Sequence, residues 1–284
     1  SDSVFIGKAS GFNQRSGSNN VAIGPNSFYT SRGASQNTII GSFAGYNVTT
    51  GTGAVGLGYK AGYANKGQGS WIAIGYEAMG GTAGTNEAAG IGIGYRSMFA
   101  AMDGSSGVGL GTSTLENLVG GYSIGIGSEA GRYASGSFNT FVGFSAGKGA
   151  TTSAPFSSGI RNTAVGYQAL TAFTTVDDIV AIGHKAAAAI TTGARNTAIG
   201  FQSMLEHTTG ANNIAIGHNA MAATGAGSTS KNSQDNIFIG RNSGGGTWAD
   251  VVSNHNVGVG NYTLDAALNG ANYNTALGAY ALSS

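Results

Sequence analysis

The sequence predicts an all-β chain, a parallel β-solenoid or β-roll of about 16 coils, and three observations carry that prediction. A glycine recurs with a modal spacing of 17 residues, the residue types around it repeat, and the composition is wrong for most other classes. The anchors run from Gly7 through Gly24, Gly41, Gly58 and Gly75 to Gly260 and Gly278, and eight of the fifteen intervals are 17 residues. A fixed period of this length marks supersecondary units that stack.

Each element of the coil follows from its place relative to the anchor. Three residues before it stands Val, Ile or Thr, and immediately before it Ile, Leu or Val, in all sixteen repeats. Residues two apart share one face of a strand. Each repeat therefore reads as a short strand whose first and third side chains point into an apolar interior. The middle residue is then expected to face outward; it is Ala or Gly in twelve repeats and Phe5, Ile39, Phe141 or Phe238 in the other four. Small outward residues allow close backbone approach, which predicts a homotrimer of parallel rods meeting on this face, so that Ala198→Glu is expected to dissociate or misfold it. Three residues after the anchor stands Ala, Ser or Thr, as in Ser27, Ala44, Ala169 and Ala220, which suits a tight turn. A helix is excluded because 3.6-residue periodicity is absent and glycine is frequent.

Two short strands and two turns cannot bury a core alone, so the coils must share one. At about 4.8 Å between strands the coils make a rod on the order of 75 Å long. The 51 glycines read as turn residues with positive φ and as points of close backbone approach. Residues 1–284 are expected to form a single repeat domain, with a regular shaft over 1–143 and loop-bearing coils over 144–284. The interval reaches 23 residues between Gly143 and Gly166 and again between Gly217 and Gly240. The motif runs from Val4–Gly7 to Thr275–Gly278 without polar caps, as expected of a segment joined to others.

Composition narrows the function. Charged residues make up 9% and the formal net charge is +1, which gives no field for nucleic acid or an anionic membrane. No apolar run is long enough for membrane insertion. With no cysteine there is no thiolate metal site, and no cofactor or metal is expected. The adjacent acids Asp177 and Asp178 lie on opposite faces of an extended segment, which does not suit a glycosidase pair. His184 and His218 hold one coil position two repeats apart, about 10 Å along the rod, and read as stacked imidazoles rather than ligands of one metal. The glycine runs lack the following helix that a phosphate-binding loop needs.

Aromatic residues are the candidate binding groups. Tyr59, Tyr76 and Tyr95 directly follow anchors, and Phe12, Tyr29, Tyr46 and Tyr63 fall five after theirs. Such columns read as coil-stabilising stacks or as a sugar-binding strip. The insertion at 242–256 brings Trp248, Asp250 and His255 together in one loop, where recognition commonly resides. An exposed Trp there is expected to stack on a sugar while its neighbours hold the hydroxyls; the alternative is a Trp that plugs the loop against the solenoid.

The motifs also resemble known families. "VAIG" at 21–24 and 180–183, each followed by Ser or Ala three residues on, is similar to the coil motif of trimeric autotransporter adhesin heads, which are left-handed parallel β-rolls in trimers. "NTAVGYQAL" at 162–170, "NTAIGFQSM" at 196–204 and "NTALGAYAL" at 274–282 resemble the repeats of bacteriophage tail fibres and related virion adhesins. The resemblance implies a non-enzymatic tail-fibre segment in the extracellular part of a virion, joined to other fibre segments. Its expected partner is a bacterial surface glycan or outer-membrane receptor. The alternative is the head of a bacterial trimeric autotransporter adhesin at the cell surface. Behind these stand a polysaccharide depolymerase and an ice-binding solenoid; the latter wants an outward row of Thr, whereas Thr38, Thr163 and Thr197 take the position expected to face inward.

Overall fold

The computed structural model describes residues 2–66, 70–81, 89–100, 106–224, 232–248, 251–266 and 268–283. They form two compact units, 1–138 and 139–284, whose boundary falls just before the expected change of regularity. The first unit contains β1 (Val4–Ile6), β2 (Val21–Ile23), β3 (Thr38–Ile40), β4 (Val55–Leu57), β5 (Trp71–Ile74), β6 (Ala89–Ile93), β7 (Ser106–Leu110) and β8 (Ile124–Ile126). The second contains β9 (Thr140–Val142), β10 (Thr163–Val165), β11 (Val180–Ile182), β12 (Thr197–Ile199), β13 (Ile214–Ile216), β14 (Ile237–Ile239), β15 (Val257–Val259) and β16 (Thr275–Leu277).

Within each unit every strand pairs in parallel with the next, and the register sets motif position on motif position: Val21 on Thr38, Ala22 on Ile39, Ile23 on Ile40. The opposite wall also bonds coil to coil, with Phe28 N–H donating to the Ala44 carbonyl at 3.0 Å and Met204 N–H to that of Ala220 at 3.0 Å. Each unit is therefore a parallel β-solenoid, as the period predicts.

The anchors are glycine for a steric reason. Their φ values lie between +115° and +138°, and a Cβ at Gly24 would stand 2.7 Å from the carbonyl of Gly41 in the next coil. Other left-handed positions carry ordinary residues, among them Asn26 at φ 54° and Leu170 at φ 52°. Positive φ thus does not by itself account for the glycine count; contact with the neighbouring coil does.

The facing of the strands is the reverse of the expectation. Ala22, Ile39, Phe141, Ala164, Ala198 and Phe238 are fully buried, so the middle residue points inward. The first and third residues point outward and are half-buried or exposed, as in β3 and β8, where both flanking side chains are exposed. The reason lies four residues after the anchor, where a second inward side chain comes from the opposite wall. In nine of the twelve repeats whose middle residue is Ala or Gly this second position holds a large apolar side chain, among them Phe28, Met98, Leu115, Leu170 and Met204, all fully buried; in the other three it is Gly62, Gly131 or Ala187. Where the middle residue is Phe5, Ile39, Phe141 or Phe238 it is Gly11, Gly45, Gly147 or Gly244. A Cβ on Gly45 would meet the Ile39 side chain at 3.1 Å, and one on Gly244 the Phe238 ring at 2.7 Å. In these coils the two positions share one space, filled from either wall, as close packing demands; in the coil of Gly56 and Gly62 both are glycine and the Trp71 ring of the next coil takes the room.

A buried asparagine column closes one side of the lumen. Asn20, Asn37, Asn139, Asn162, Asn196, Asn213, Asn236 and Asn256 each stand four residues before an anchor, at most 1% exposed. The Asn196 Oδ1 accepts from the N–H of Asn213 at 2.8 Å and from its Nδ2 at 3.0 Å, and Asn213 repeats this toward Asn236. The "N" of "NTAIG" is thus a ladder of hydrogen bonds that satisfies buried backbone where the coil enters its strand.

Candidate functional site

The anchor turn throws the next side chain outward, and in consecutive coils these side chains stack. Tyr59, Tyr76 and Tyr95 form one column, with ring centroids 5.1 and 5.5 Å apart. Phe12, Tyr29, Tyr46 and Tyr63 form a second at 5.2, 5.0 and 5.3 Å. Phe43 bridges the two, 5.8 Å from Tyr46 and 6.4 Å from Tyr59. Beside it the Lys60 ammonium lies 5.3 Å from the Tyr59 ring and 5.6 Å from the Tyr63 ring, and 3.9 Å from the Glu77 carboxylate. The stacking expected of these columns is present. Tyr59, Tyr76 and Tyr95 are also 38–49% exposed, so they are surface groups as well as coil supports.

The second unit carries a column of its own, Phe144, Tyr167, His184, Phe201 and His218, with centroids 5.0–5.5 Å apart. The imidazoles are stacked, as expected of them. Among the described residues no group of three or more His, Asp or Glu side chains is placed to hold a metal ion.

The Trp248 loop is corrected by the structure. Trp248 is fully buried, its indole N–H donates to the Gly244 carbonyl at 2.9 Å, and its ring meets Phe238 edge-on at 5.9 Å. Trp248 therefore plugs the loop and has no face for a sugar. His255 is exposed and stacks on Tyr273 at 4.9 Å, away from any role beside an exposed Trp. Asp250 lies outside the described residues.

Three acids, Asp177, Asp178 and Glu116, bind neighbouring coils. Asp178 accepts from Arg161 Nε at 2.6 Å and from its other guanidinium nitrogen at 3.0 Å, and this pairing holds its carboxyl below the usual carboxylate range. Asp177 accepts from the Ile160 N–H at 2.8 Å. Glu116, almost buried, takes Arg96 at 2.9 Å and Arg132 at 2.8 Å from neighbouring coils.

One buried titratable group escaped the sequence reading. His207 is fully buried, and its tautomer follows from its neighbours. Both amide hydrogens of Asn213 are taken, by Asn196 Oδ1 and by the Ser233 carbonyl, each at 3.0 Å. His207 Nε2 therefore carries the hydrogen and donates to the Gly210 carbonyl at 3.1 Å, while Nδ1 faces the Thr224 hydroxyl at 3.4 Å. Burial without a carboxylate pulls its pKa down to about 4.

No family model, curated protein or solved structure matches the chain.

Proposed function

We propose that the chain is a β-solenoid segment of a viral tail fibre that assembles as a homotrimer and holds a bacterial surface glycan without transforming it. One observation carries this reading. On the outer face of each unit the first and third strand residues make two columns of Val, Ile, Leu and Thr side chains over eight consecutive coils. Ile40, Ile93, Ile124, Ile126, Ile182 and Ile239 are 36–40% exposed there. Monomers in water seldom keep a contiguous apolar strip of this kind, and a flat, repeated face is self-complementary to further copies of itself. The contact face is therefore the aliphatic columns and not the small middle residue. Ala198→Glu acts inside the coil, by placing a carboxylate in the lumen.

Light scattering of the purified chain at micromolar concentration is expected to return three times the 28.1 kDa of one chain. Ile182→Glu combined with Ile239→Glu should give monomers with unchanged far-ultraviolet dichroism, and cells carrying the receptor should bind the parent protein. A monomeric parent protein overturns the assembly, and failure to bind any of a panel of bacterial cells with defined surface glycans overturns the attachment role. The head of a bacterial trimeric adhesin has the same requirements and differs in what the flanking gene sequence encodes.

A second reading gains from the reversed facing. Thr38, Thr140, Thr163, Thr197 and Thr275 hold the first strand position, which points outward. An outward Thr and aliphatic array is what an ice-binding solenoid presents. The Thr column is interrupted by Val and Ile in the other eleven coils, which places this reading second. Thermal hysteresis in the purified protein would establish it.

A further inference from the structure

The two tyrosine columns of the first unit are joined, and their geometry limits what they can hold. Tyr29 has Phe12 at 5.2 Å on one side and Tyr46 at 5.0 Å on the other. Tyr76 lies in the same way between Tyr59 and Tyr95. Both π-faces of the interior rings are therefore covered, and the usual stacking of a sugar on a ring face is closed to them. Solvent meets ring edges, and at each edge a phenolic hydroxyl that both donates and accepts.

These edges repeat once per coil, at the 5.0–5.5 Å separation of the rings. Phe43 carries the path from one column to the other, so the aromatic contacts run without a gap from Phe12 in the first coil to Tyr95 in the sixth. At the junction the Lys60 charge is opposed by Glu77 at 3.9 Å, which leaves the path close to neutral.

We propose that this path is a linear track for a neutral, unbranched glycan in extended β-linked form, each coil offering one ring edge and, where it is a tyrosine, one hydroxyl to one sugar. An extended β-linked chain of hexoses with equatorial hydroxyls advances per sugar by nearly the spacing of stacked strands. It can keep register with the coils, whereas coiled α-linked chains and branched glycans lose it after one or two steps. Sugars lie edge-on, held by phenol-to-hydroxyl hydrogen bonds, and affinity accumulates along the track. The inference rests on the glycan-holding reading above and specifies its ligand.

Titration calorimetry of the intact protein with cello-oligosaccharides tests it. Affinity is expected to rise stepwise from the disaccharide to the hexasaccharide, and malto-oligosaccharides of equal length should bind more weakly without that rise. The triple variant Tyr59→Phe, Tyr76→Phe, Tyr95→Phe keeps the stacked rings and removes three hydroxyls. It should weaken hexasaccharide binding about tenfold or more, at roughly 1 kcal/mol for each neutral hydrogen bond, with the melting temperature unchanged. Absence of cello-oligosaccharide binding, absence of the length dependence, or a triple variant that binds like the parent overturns the track. Each of these results is independent of whether the protein binds bacterial cells, on which the glycan-holding reading stands or falls.

Discussion

At the scale of single residues, the anchor glycine and His207 show how little tolerance a one-coil lumen leaves. A Cβ on Gly183 would lie 2.6 Å from the carbonyl carbon of Gly200, at a backbone φ of +135°. Gly183→Ala is expected to destabilise the second unit by about 3 kcal/mol or more, from strained φ and from overpacking together. A thermal melt that leaves the variant level with the parent would show that the coils can separate to admit a methyl. His207 gives a pH dependence whose sign is fixed. Its folded pKa of about 4 lies below the ordinary 6.5, so the unfolded chain binds the extra proton between those values. The contribution is fully present above pH 6.5 and is lost as pH falls toward 4, by about 3 kcal/mol at full extent. Denaturant titrations at about pH 7 and about pH 4.5 should show this loss, and His207→Gln should remove most of it. Equal pH dependence in parent and variant would assign the loss to the carboxylates.

At the scale of the coil, the complementary pairs make a sharper prediction than any one position. Phe141→Ala should cost about 3–5 kcal/mol, since it opens a cavity beside Gly147 and Phe173. Adding Gly147→Leu should restore half or more of the loss. The position is left-handed at φ 54°, but leucine already occupies its equivalents at Leu115 and Leu170 with φ of 48° and 52°. Chemical denaturation of the two single variants and the double variant gives the coupling. Additive effects would mean that the two side chains do not share one space. The same pairs explain what was legible in the sequence. The period, the strand and the anchor turn were legible because they are written sixteen times with fixed residue classes. The facing was not, because a three-residue strand with Ala, Gly or an apolar residue in the middle and Val, Ile, Leu or Thr on either side offers no charged or strongly polar side to orient it. Hydrophobicity favoured Val21 and Ile23 as the inward pair; the lumen admits Ala22 because Phe28 already fills it. The match of Phe5, Ile39, Phe141 and Phe238 with Gly11, Gly45, Gly147 and Gly244 was present in the repeats and is the signal that orients them. The choice between an exposed Trp248 and a plug stayed open in the sequence for a related reason. Loop composition does not tell a plug from an exposed ring; the indole N–H bond to the Gly244 carbonyl and the edge-on contact with Phe238 appear only in the folded chain.

At the scale of the whole molecule, cohesion comes from backbone ladders, buried amides and narrow apolar packing, and charge plays a small part. Only 9% of residues are charged, and Arg161 with Asp178 is an exposed pair of little weight. Raising sodium chloride from about 0.05 M to about 1 M should therefore move the melting temperature by no more than a few degrees. Sulfate should raise it, since excluded salts favour burial of apolar surface. A fall of many degrees in sodium chloride would show that ion pairs such as that of Glu116 with Arg96 and Arg132 carry more of the stability than their number implies. The in-register pairing has a genetic consequence as well. Because each motif position rests on its own equivalent, an in-frame duplication of seventeen codons inserts a coil that meets, above and below, the residue types already meeting there. Recombination between repeats can thus lengthen or shorten the gene by whole coils without a compensating change elsewhere. Inheritance acts on this protein in the same unit in which it folds.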